Sequence, residues 1–314
     1  MSPENLTSVL QFTILGYPDM TEKRILLFLL FVCVYVTTIL GNLVIIIITN
    51  SYDSLQTPMY FLLGKLSIID ICYISVTVPQ MLFFLASKQN TISFAGCIVQ
   101  LYSMIFLESA ECVLLAIMAY DRYLAICRPL HYILIMNRAV CYKLLSGAIF
   151  SSALHSLLHT LLIAQLPFCH YSINHFFCDI PPLLKLSCTD THVNEILLFA
   201  VSGVFVGLGP LLMIFVSYAF IVCKILKMKA GVGRWKTFST CTSHLTIVTI
   251  FYGTGSFTYV RPKSSYSLDR DKLVSVFYNI ATPLLNPIIY SLRNSEVKKS
   301  ITNGFRRYCV FQQM

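Results

Sequence analysis

The chain has 314 residues, of which 56% are hydrophobic and only 12% are charged, and its formal net charge is +9. Soluble globular domains carry about 25% charged residues, so this composition excludes an ordinary soluble protein and indicates that much of the chain faces lipid or buried protein. Twelve cysteines are too few for a disulfide-stapled scaffold in a chain of this length.

The N-terminal segment, residues 1–24, is polar and precedes a long apolar run. That run is too long to be the apolar region of a cleavable signal peptide, so we expect the segment to remain attached and to lie outside the cell. Asn5-Leu6-Thr7 is a glycosylation acceptor that is usable only on that side of the membrane.

Seven apolar segments are long enough to cross a bilayer, which takes about 20 residues in a helix. They cover residues 25–48, 58–85, 95–120, 139–163, 196–223, 237–260 and 272–292. Apart from residues 164–195, the connections between them are short. The sequence therefore predicts one all-α membrane domain over residues 1–314, with a seven-helix bundle over 25–292 and a cytoplasmic tail over 293–314.

Polar side chains within these segments are costly and usually face the interior of a bundle. Asn42, Asp70 and Asn286, in the first, second and seventh helices, are expected to meet in a buried polar cluster that Glu111 of the third helix joins. A buried carboxylate needs a proton, a hydrogen-bond donor or a cation. The cluster either holds a sodium ion or only connects the helices by hydrogen bonds.

The outer half of the third helix carries a stripe formed by Met104, Ile105, Glu108 and Cys112, which helical spacing places on one side. A ligand that enters from outside would arrive at this stripe. Glu108 is its distinctive member. It either engages a polar or cationic ligand, or it is protonated and hydrogen-bonded to a neighbouring helix.

Asp121 and Arg122 follow at the inner end of the third helix. Adjacent opposite charges can form a local pair that holds Arg122 back from other partners. Release of Arg122 when helices move would be a two-state switch that couples an outer site to an inner one. Without further context, the pair is equally compatible with a charged cap.

The fourth helix contains His155 and His159, which are four residues apart and share one face. Two histidines at this spacing could bind a metal. With no acidic residue nearby, we interpret them as interior or pocket-edge residues.

Four cysteines, Cys97, Cys169, Cys178 and Cys188, would face the oxidising side, and they allow three pairings between which spacing cannot choose. The others are interpreted as small core residues. Cys309, near the cytoplasmic end, is either a palmitoylation site or a free thiol.

The sixth and seventh helices contain signals for bending. Two glycines make the sixth helix locally flexible beside Tyr252, a candidate ligand sensor. Pro283 and Pro287 remove backbone donors and kink the seventh helix, and Tyr290 follows at its inner end. In the tail, residues 295–308 combine basic and apolar side chains in a pattern that predicts a short amphipathic helix on the inner leaflet.

Lysine and arginine are distributed unequally between the two sides of the bundle. With the Asp121 end inside, 14 of them lie in cytoplasmic segments and eight in outer segments, and Lys65 lies in a helix. This asymmetry places the N-terminus outside, although the residues around the first helix alone favour the opposite. The positive charge is therefore a cytoplasmic belt suited to lipid headgroups rather than a nucleic-acid surface.

Several short motifs occur in a fixed order. The central one is Met118-Ala119-Tyr120-Asp121-Arg122-Tyr123-Leu124-Ala125-Ile126-Cys127, with Pro129-Leu130-His131-Tyr132 after it. The others lie at residues 41–42, 58–62, 66–70, 175–179, 182–186, 217–218, 236–245 and 283–294. Together they resemble the olfactory (odorant) receptors, a family of rhodopsin-like seven-helix G-protein-coupled receptors.

Three features depart from the family pattern. Lys65 stands where relatives usually have Asn or His, and the first inner loop lacks the usual His-rich character before Pro58. Both bear on expression or coupling. Glu108 is an extra acid beside the family-typical Glu111 and bears on ligand choice.

The resemblance implies a plasma-membrane receptor that binds small volatile odorants and activates the olfactory stimulatory G protein to raise cyclic AMP. It also implies contact with lipids and trafficking chaperones, no cofactor and no enzymatic activity. The alternative of a sodium ion at Asp70 rests on the buried carboxylate described above. The implied ligand pocket lies under the second outer loop, at Met104, Ile105, Glu108, Ser109, Cys112, Ser202, Val206, Tyr252, Gly255, Ser256, Tyr259 and Asn279. The implied coupling residues are Asp121, Arg122, Tyr123, Tyr218, Lys236 and Tyr290.

The resemblance further favours disulfides between Cys97 and Cys178 and between Cys169 and Cys188. His175, Cys178 and Asp179 have been interpreted in the family as a metal site. With Cys178 in a disulfide, we expect no metal there.

Three other classes are less well supported. A transporter could use Asp70, Glu108 and Glu111 as a polar path, but transporters show paired halves with broken helices, and this sequence has no such repeat. An intramembrane enzyme would need a motif such as Gly-x-Ser-x-Gly or His-Glu-x-x-His, and neither occurs. A rhodopsin-like receptor for a peptide or amine is the closest rival, and the olfactory-type second loop argues against it.

Overall fold

A computed structural model of the chain describes residues 11–16, 21–87, 89–229, 231–259, 268–293, 297–299 and 302. Its long helices are α1 (Thr21–Ser51), α2 (Pro58–Ser87), α3 (Phe94–Cys127), α4 (Arg138–Ala164), α5 (His192–Lys227), α6 (Val232–Tyr259) and α7 (Leu268–Arg293). The predicted seven-helix fold is confirmed. Within the described residues, α1 to α5 are each long and apolar enough to cross a membrane.

Several helices extend beyond the apolar segments that predicted them. α3 was expected to end at residue 120 but continues to Cys127, so Asp121 and Arg122 lie inside the helix rather than after it. Hydropathy marks only the part that crosses lipid, whereas backbone hydrogen bonding continues until a residue stops it. Here the stop is Pro129, which starts a separate short helix, Pro129–Ile135.

α3 lies at the centre of the bundle and packs against α2, α4, α5 and α6. α1 packs against α2 and α7, and α7 packs against α6. Leu114, Leu115 and Ala119 of α3 have no exposed surface. A side chain on α3 can therefore contact residues that are far apart in sequence.

α1 and α7 meet where a proline leaves a backbone acceptor unused. Pro287 has no N–H to donate to the carbonyl oxygen of Pro283, four residues earlier. Asn42 of α1 supplies the missing donor, with Nδ2 at 3.0 Å from that oxygen. The approach is close enough that a Cβ on Gly41 would lie 3.0 Å from Cγ of Pro287.

α5 contains a π-helical segment, Leu198–Leu208, between two α-helical parts. At its end, the N–H of Gly209 donates to the carbonyl oxygen of Val204, five residues earlier. Segments of this kind are rare and often occur at functional sites. The adjacent Pro210 has no N–H, so the carbonyl oxygen of Val206 is available to another donor.

A small sheet, which the sequence did not predict, covers one end of the bundle. β1 (Gln11–Ile14) lies between β2 (Thr91–Ser93), to which it is antiparallel, and β3 (Ser172–Ile173), to which it is parallel. Strands of two to four residues are too short to show periodicity. We call this end of the bundle the outer end and the end that carries Arg122 the inner end.

The sheet attaches the N-terminal segment to the bundle. Phe12 and Ile14 of β1 are completely buried, and a Cβ on Gly16 would lie only 2.6 Å from the carbonyl oxygen of His175. Position 16 therefore accepts glycine alone unless the second outer loop moves. The predictions at Asn5 and Cys309 lie outside the described residues, and the predicted tail helix falls mostly outside them.

Candidate functional site

A buried polar cluster connects α2, α3 and α7 in the middle of the bundle. Asn286 Nδ2 lies 3.1 and 3.0 Å from the two carboxylate oxygens of Asp70, and 3.4 Å from Oε1 of Glu111. All three side chains are almost completely buried. The structure thus brings together Asp70, Glu111 and Asn286, whereas Asn42 bonds to the α7 backbone instead.

Two carboxyl groups that share one amide donor need a further positive charge or a proton, because a buried unpaired carboxylate is costly. Neither Asp70 nor Glu111 has an ion-pair partner among the residues that the structure describes. Asn286 Oδ1 is also buried and has no hydrogen-bond partner there. This all-oxygen set fits a sodium ion or a shared proton.

The outer half of the bundle brings together polar groups from α3, α5 and α6. Tyr252 of α6 donates to the freed carbonyl oxygen of Val206 at 3.3 Å, and its hydroxyl lies near the thiol of Cys112. Cys112 is completely buried. These three predicted pocket residues therefore lie together where α3, α5 and α6 meet.

Asn279 of α7 is tied to a residue that the sequence did not single out. The Tyr73 hydroxyl of α2 donates to Oδ1 of Asn279, and both residues are buried. The bond fixes the outer part of α7 to α2. A ligand that contacts Asn279 would therefore meet an amide group whose oxygen already accepts a hydrogen bond from Tyr73.

A chain of hydrogen bonds connects α3, α4 and α5. Ser109 Oγ lies 2.9 Å from Nδ1 of His155, and Nε2 of His155 lies 2.9 Å from Oγ of Ser202. The same Ser202 oxygen lies 3.0 Å from Nε2 of His159. The two histidines are buried, so they are interior residues, as predicted, and they contact two predicted pocket residues.

The directions of these bonds follow from counting the protons that each group can donate. Ser109 donates to the carbonyl oxygen of Ile105 at 2.7 Å, so it accepts from Nδ1–H of His155. If both histidines are neutral, His155 Nε2 then accepts from Ser202, which in turn accepts from His159. A ligand that takes the Ser202 hydroxyl would break a chain that spans three helices.

For the other predicted pocket residues, the structure gives burial or less. Met104 is buried, whereas Ile105 and Glu108 are half-buried on the same side of α3. Gly255 lies in α6, and the structure does not describe its surroundings or the side chains of Ser256 and Tyr259.

At the inner end, Asp121 has two partners of different strength. The hydroxyl of Tyr132, from the short helix after α3, donates to Oδ1 of Asp121 at 2.8 Å. Nε of Arg122 lies 4.0 Å from Oδ2, at the limit of an ion pair. Burial and the neighbouring Asp121 charge raise the pKa of Tyr132 well above its usual range, so its hydroxyl remains a donor.

The inner parts of α5 and α6 meet through Tyr218 and His244. The Tyr218 hydroxyl lies 2.9 Å from Nδ1 of His244, and the two rings are stacked. Tyr290 of α7 is buried in the same hydrophobic core as the apolar residues of α3. Tyr123 is half-buried and packs against Phe220. The side chain of Lys236 lies outside the described residues.

The second outer loop is fixed by two disulfides and by a hydrogen bond to α3. The structure pairs Cys97 with Cys178 and Cys169 with Cys188, the pairing that the resemblance favours. Gln100 of α3 adds a hydrogen bond, because its Oε1 accepts from the N–H of Cys178 at 3.0 Å. Cys178 is therefore not free to bind a metal, and the described residues contain no cluster of three or more His, Cys, Asp or Glu side chains that could hold one.

Asp179 is an ionisable group of this loop whose pKa is raised by burial. Burial raises its pKa to about 6, against the opposing effect of the Ile180 N–H that donates to Oδ1 at 2.8 Å. A carboxyl group whose folded pKa lies above its unfolded value of about 4 stabilises the fold when protonated. Stability from this group is therefore present at low pH and is lost as pH rises through 6.

We expect the Asp179→Asn receptor to lose this pH dependence. In detergent, the melting temperature of the parent receptor should fall between pH 5 and pH 7, and the variant should show a flatter profile. Asp190→Asn, which changes an exposed acid of the same loop, serves as the control and should follow the parent. Equal slopes for Asp179→Asn and the parent would contradict the assignment.

Sequence reasoning missed Tyr73, Gln100, Tyr132 and His244. Each is an ordinary core or interfacial residue type whose role depends on a partner at least 11 residues away. The available signal was weak. Tyr132 lies in the motif after α3, and His244 lies within the motif at residues 236–245.

Comparisons with known proteins agree with this arrangement. A family model described as olfactory receptor matches residues 31–307. Olfactory receptor 5F1 of Homo sapiens is 48% identical over 308 residues, covering 98% of each chain. Olfactory receptor 5AR1 of Mus musculus is 48% identical over 299 residues, covering 95% of this chain and 96% of its own. The crystal structure of squid rhodopsin superposes with a TM-score of 0.74 at 18% identity, covering 94% of this chain and 91% of that one.

Proposed function

Because this chain belongs to the olfactory receptor family, we propose that it binds small volatile odorants in the outer half of the bundle and activates the olfactory stimulatory G protein to raise cyclic AMP. Membership in this family makes it a multi-pass G-protein-coupled receptor of the cell surface and not an enzyme. The odorant class, the type of G protein, and the outward orientation of the N-terminus belong to the proposal.

The observation that carries the proposal is the set of polar groups under the second outer loop. Ser109, His155 and Ser202 connect three helices through hydrogen bonds of 2.9 Å, and Tyr252 of α6 donates to the α5 backbone in the same half of the bundle. Sites for small ligands combine mostly apolar walls with a few polar anchors. An odorant with one oxygen or nitrogen atom would find its anchor here.

The proposed mechanism follows α5 from this site to the inner end. A ligand that bonds to Ser202 would release its hydrogen bonds to His155 and His159, which hold α5 against α4. Tyr218 lies 16 residues further along, roughly 24 Å in a helix, and contacts His244 of α6. A shift of α5 would therefore reach α6 beside Arg122, where a G protein would bind.

The buried cluster of Asp70, Glu111 and Asn286 would stabilise one of the two states. Its oxygen atoms would hold a sodium ion or a proton while the helices stay together. A cation bound at this position would supply the positive charge that the two carboxyl groups lack, and only differential binding of this kind can shift a two-state equilibrium.

The test is a cyclic AMP assay in cells that express the chain with the olfactory G protein, with surface staining in parallel. We expect a saturable response to some members of a chemically broad odorant panel that includes acids and amines. A response through calcium without cyclic AMP would contradict the G-protein assignment. Responses restricted to peptides would contradict the odorant assignment.

Glu108 is expected to determine which odorants are active. We predict that Glu108→Gln raises the half-maximal concentration of cationic ligands about tenfold, since a charge-assisted hydrogen bond contributes about 1.5 kcal/mol or more. Neutral odorants and surface staining should change little. Glu195→Gln, an exposed acid of α5, is the charge-matched control. If the ligand profile of Glu108→Gln equals that of the parent, Glu108 is a structural residue.

A further inference from the structure

A groove opens on the outside of the bundle between α3 and α5, away from the proposed odorant site. It has a volume of about 480 Å³ and is lined by Tyr120, Tyr123, Leu212, Met213, Val216, Ser217 and Phe220. The α3 residues belong to the last two turns before Cys127. The groove therefore lies in the inner half of the membrane-crossing region.

The walls of the groove are suited to an acyl chain. The rings of Tyr120 and Tyr123 are stacked, and Tyr123 lies 5.7 Å from the ring of Phe220. Leu212 and Val216 extend the surface along α5, and they are 59% and 50% exposed in the isolated chain. In a membrane, an apolar groove on this surface is in contact with lipid.

Lysine side chains at the inner end of the groove favour a lipid with an anionic headgroup. Lys224 follows Phe220 by four residues on α5, so it lies on the same face one turn nearer the inner end. Lys227 follows in the last turn, and α5 has no acidic residue after residue 208. The nearest acid on α3, Asp121, is buried and bonded to Tyr132. An anionic headgroup therefore meets positive charge without an opposing acid on either helix.

We propose that this groove binds one anionic phospholipid, with an acyl chain along Tyr120, Tyr123 and Phe220 and the headgroup phosphate at Lys224. With the orientation proposed above, the lipid belongs to the inner leaflet, which carries the anionic lipids. The lipid bridges α3 and α5 beside Arg122 and so favours one relative position of these helices. The site is independent of which odorant the receptor binds.

The single tryptophan of the chain makes the site measurable. In the background Trp235→Phe, Phe220→Trp places one fluorophore in the groove, and Phe215→Trp places one on the lipid-facing side outside it, where Phe215 is 69% exposed. The full-length receptor is placed in phosphatidylcholine nanodiscs that contain a small fraction of brominated phosphatidylserine or brominated phosphatidylcholine. Bromine quenches tryptophan only at short range.

We expect brominated phosphatidylserine to quench Phe220→Trp at about fivefold lower mole fraction than brominated phosphatidylcholine, the factor that corresponds to one surface lysine. Lys224→Gln should abolish this preference, whereas Lys298→Gln, an exposed lysine after α7, should leave it unchanged. Phe215→Trp should show no preference.

Equal quenching by the two lipids at Phe220→Trp, or the same preference at Phe215→Trp, would overturn the proposal. So would displacement of both brominated lipids by cholesterol regardless of Lys224, which would identify a sterol site. Because no odorant or G protein enters the measurement, its failure is distinguishable from failure of the proposed receptor function.

Discussion

We expect the Arg122→Ala receptor to reach the cell surface in nearly normal amounts and to give no cyclic AMP response to an odorant that activates the parent chain. The contact that the mutation removes is long, because Nε of Arg122 lies 4.0 Å from Oδ2 of Asp121, at the limit of an ion pair. Asp121 keeps its hydrogen bond from Tyr132. Folding should survive, while the cationic group offered to the G protein is lost.

Arg128→Ala is the matched control for this experiment. It removes the same side chain from an exposed position six residues further along, and it should retain most of the response. Surface staining, total receptor and cyclic AMP are measured on the same cells. Normal signalling by Arg122→Ala would eliminate the proposed switch, and loss of surface receptor would make Arg122 a structural residue.

The second large effect is expected at the outer end, where Cys178→Ser should abolish surface expression and therefore signalling. The Cys97–Cys178 bond closes 81 residues and the Cys169–Cys188 bond closes 19. In the chain-entropy description, these loops correspond to about 4.5 and about 3 kcal/mol. The larger ring also fixes the second outer loop on α3, and its loss leaves a buried unpaired thiol at Cys97.

The Cys169→Ser/Cys188→Ser double variant should retain a substantial part of both surface receptor and response, because the shorter ring lies within the loop. Cys72, which the sequence assigned to the core, is an exposed free cysteine of α2, so the interpretation of the remaining cysteines as core residues was wrong there. Cys72→Ser should behave as the parent does. A larger loss of surface expression in the Cys169→Ser/Cys188→Ser variant than in Cys178→Ser would contradict the prediction that the Cys97–Cys178 disulfide is the more important of the two.

The fold was predictable because its determinants are local. An apolar run of the length that a bilayer requires predicts each helix, and all seven predicted segments are helical in the structure. What hydropathy could not place were the ends, as the extension of α3 to Cys127 illustrates. The outer sheet escaped prediction because its strands pair residues 78 to 159 positions apart, over only two or three positions each.

The candidate site was predictable in its chemistry and less so in its contacts. Asp70, Glu111 and Asn286 were expected to meet because polar groups in lipid-crossing helices must find one another. That Asn42 would instead bond to the carbonyl oxygen of Pro283 depends on the proximity of α1 and α7, which no local pattern encodes. The chain through His155 needed the same kind of information, since its links join α3, α4 and α5.

The strand that the N-terminal segment adds to the outer sheet limits how far anything attached upstream can travel. Asn5 is six residues before Gln11, where β1 begins, and an extended chain spans at most about 3.5 Å per residue. A sugar or an epitope tag at Asn5 is thus tethered within roughly 20 Å of β1. Such an attachment would partly cover the outer end of the bundle. Its size would determine how easily antibodies and large hydrophobic carriers reach that end.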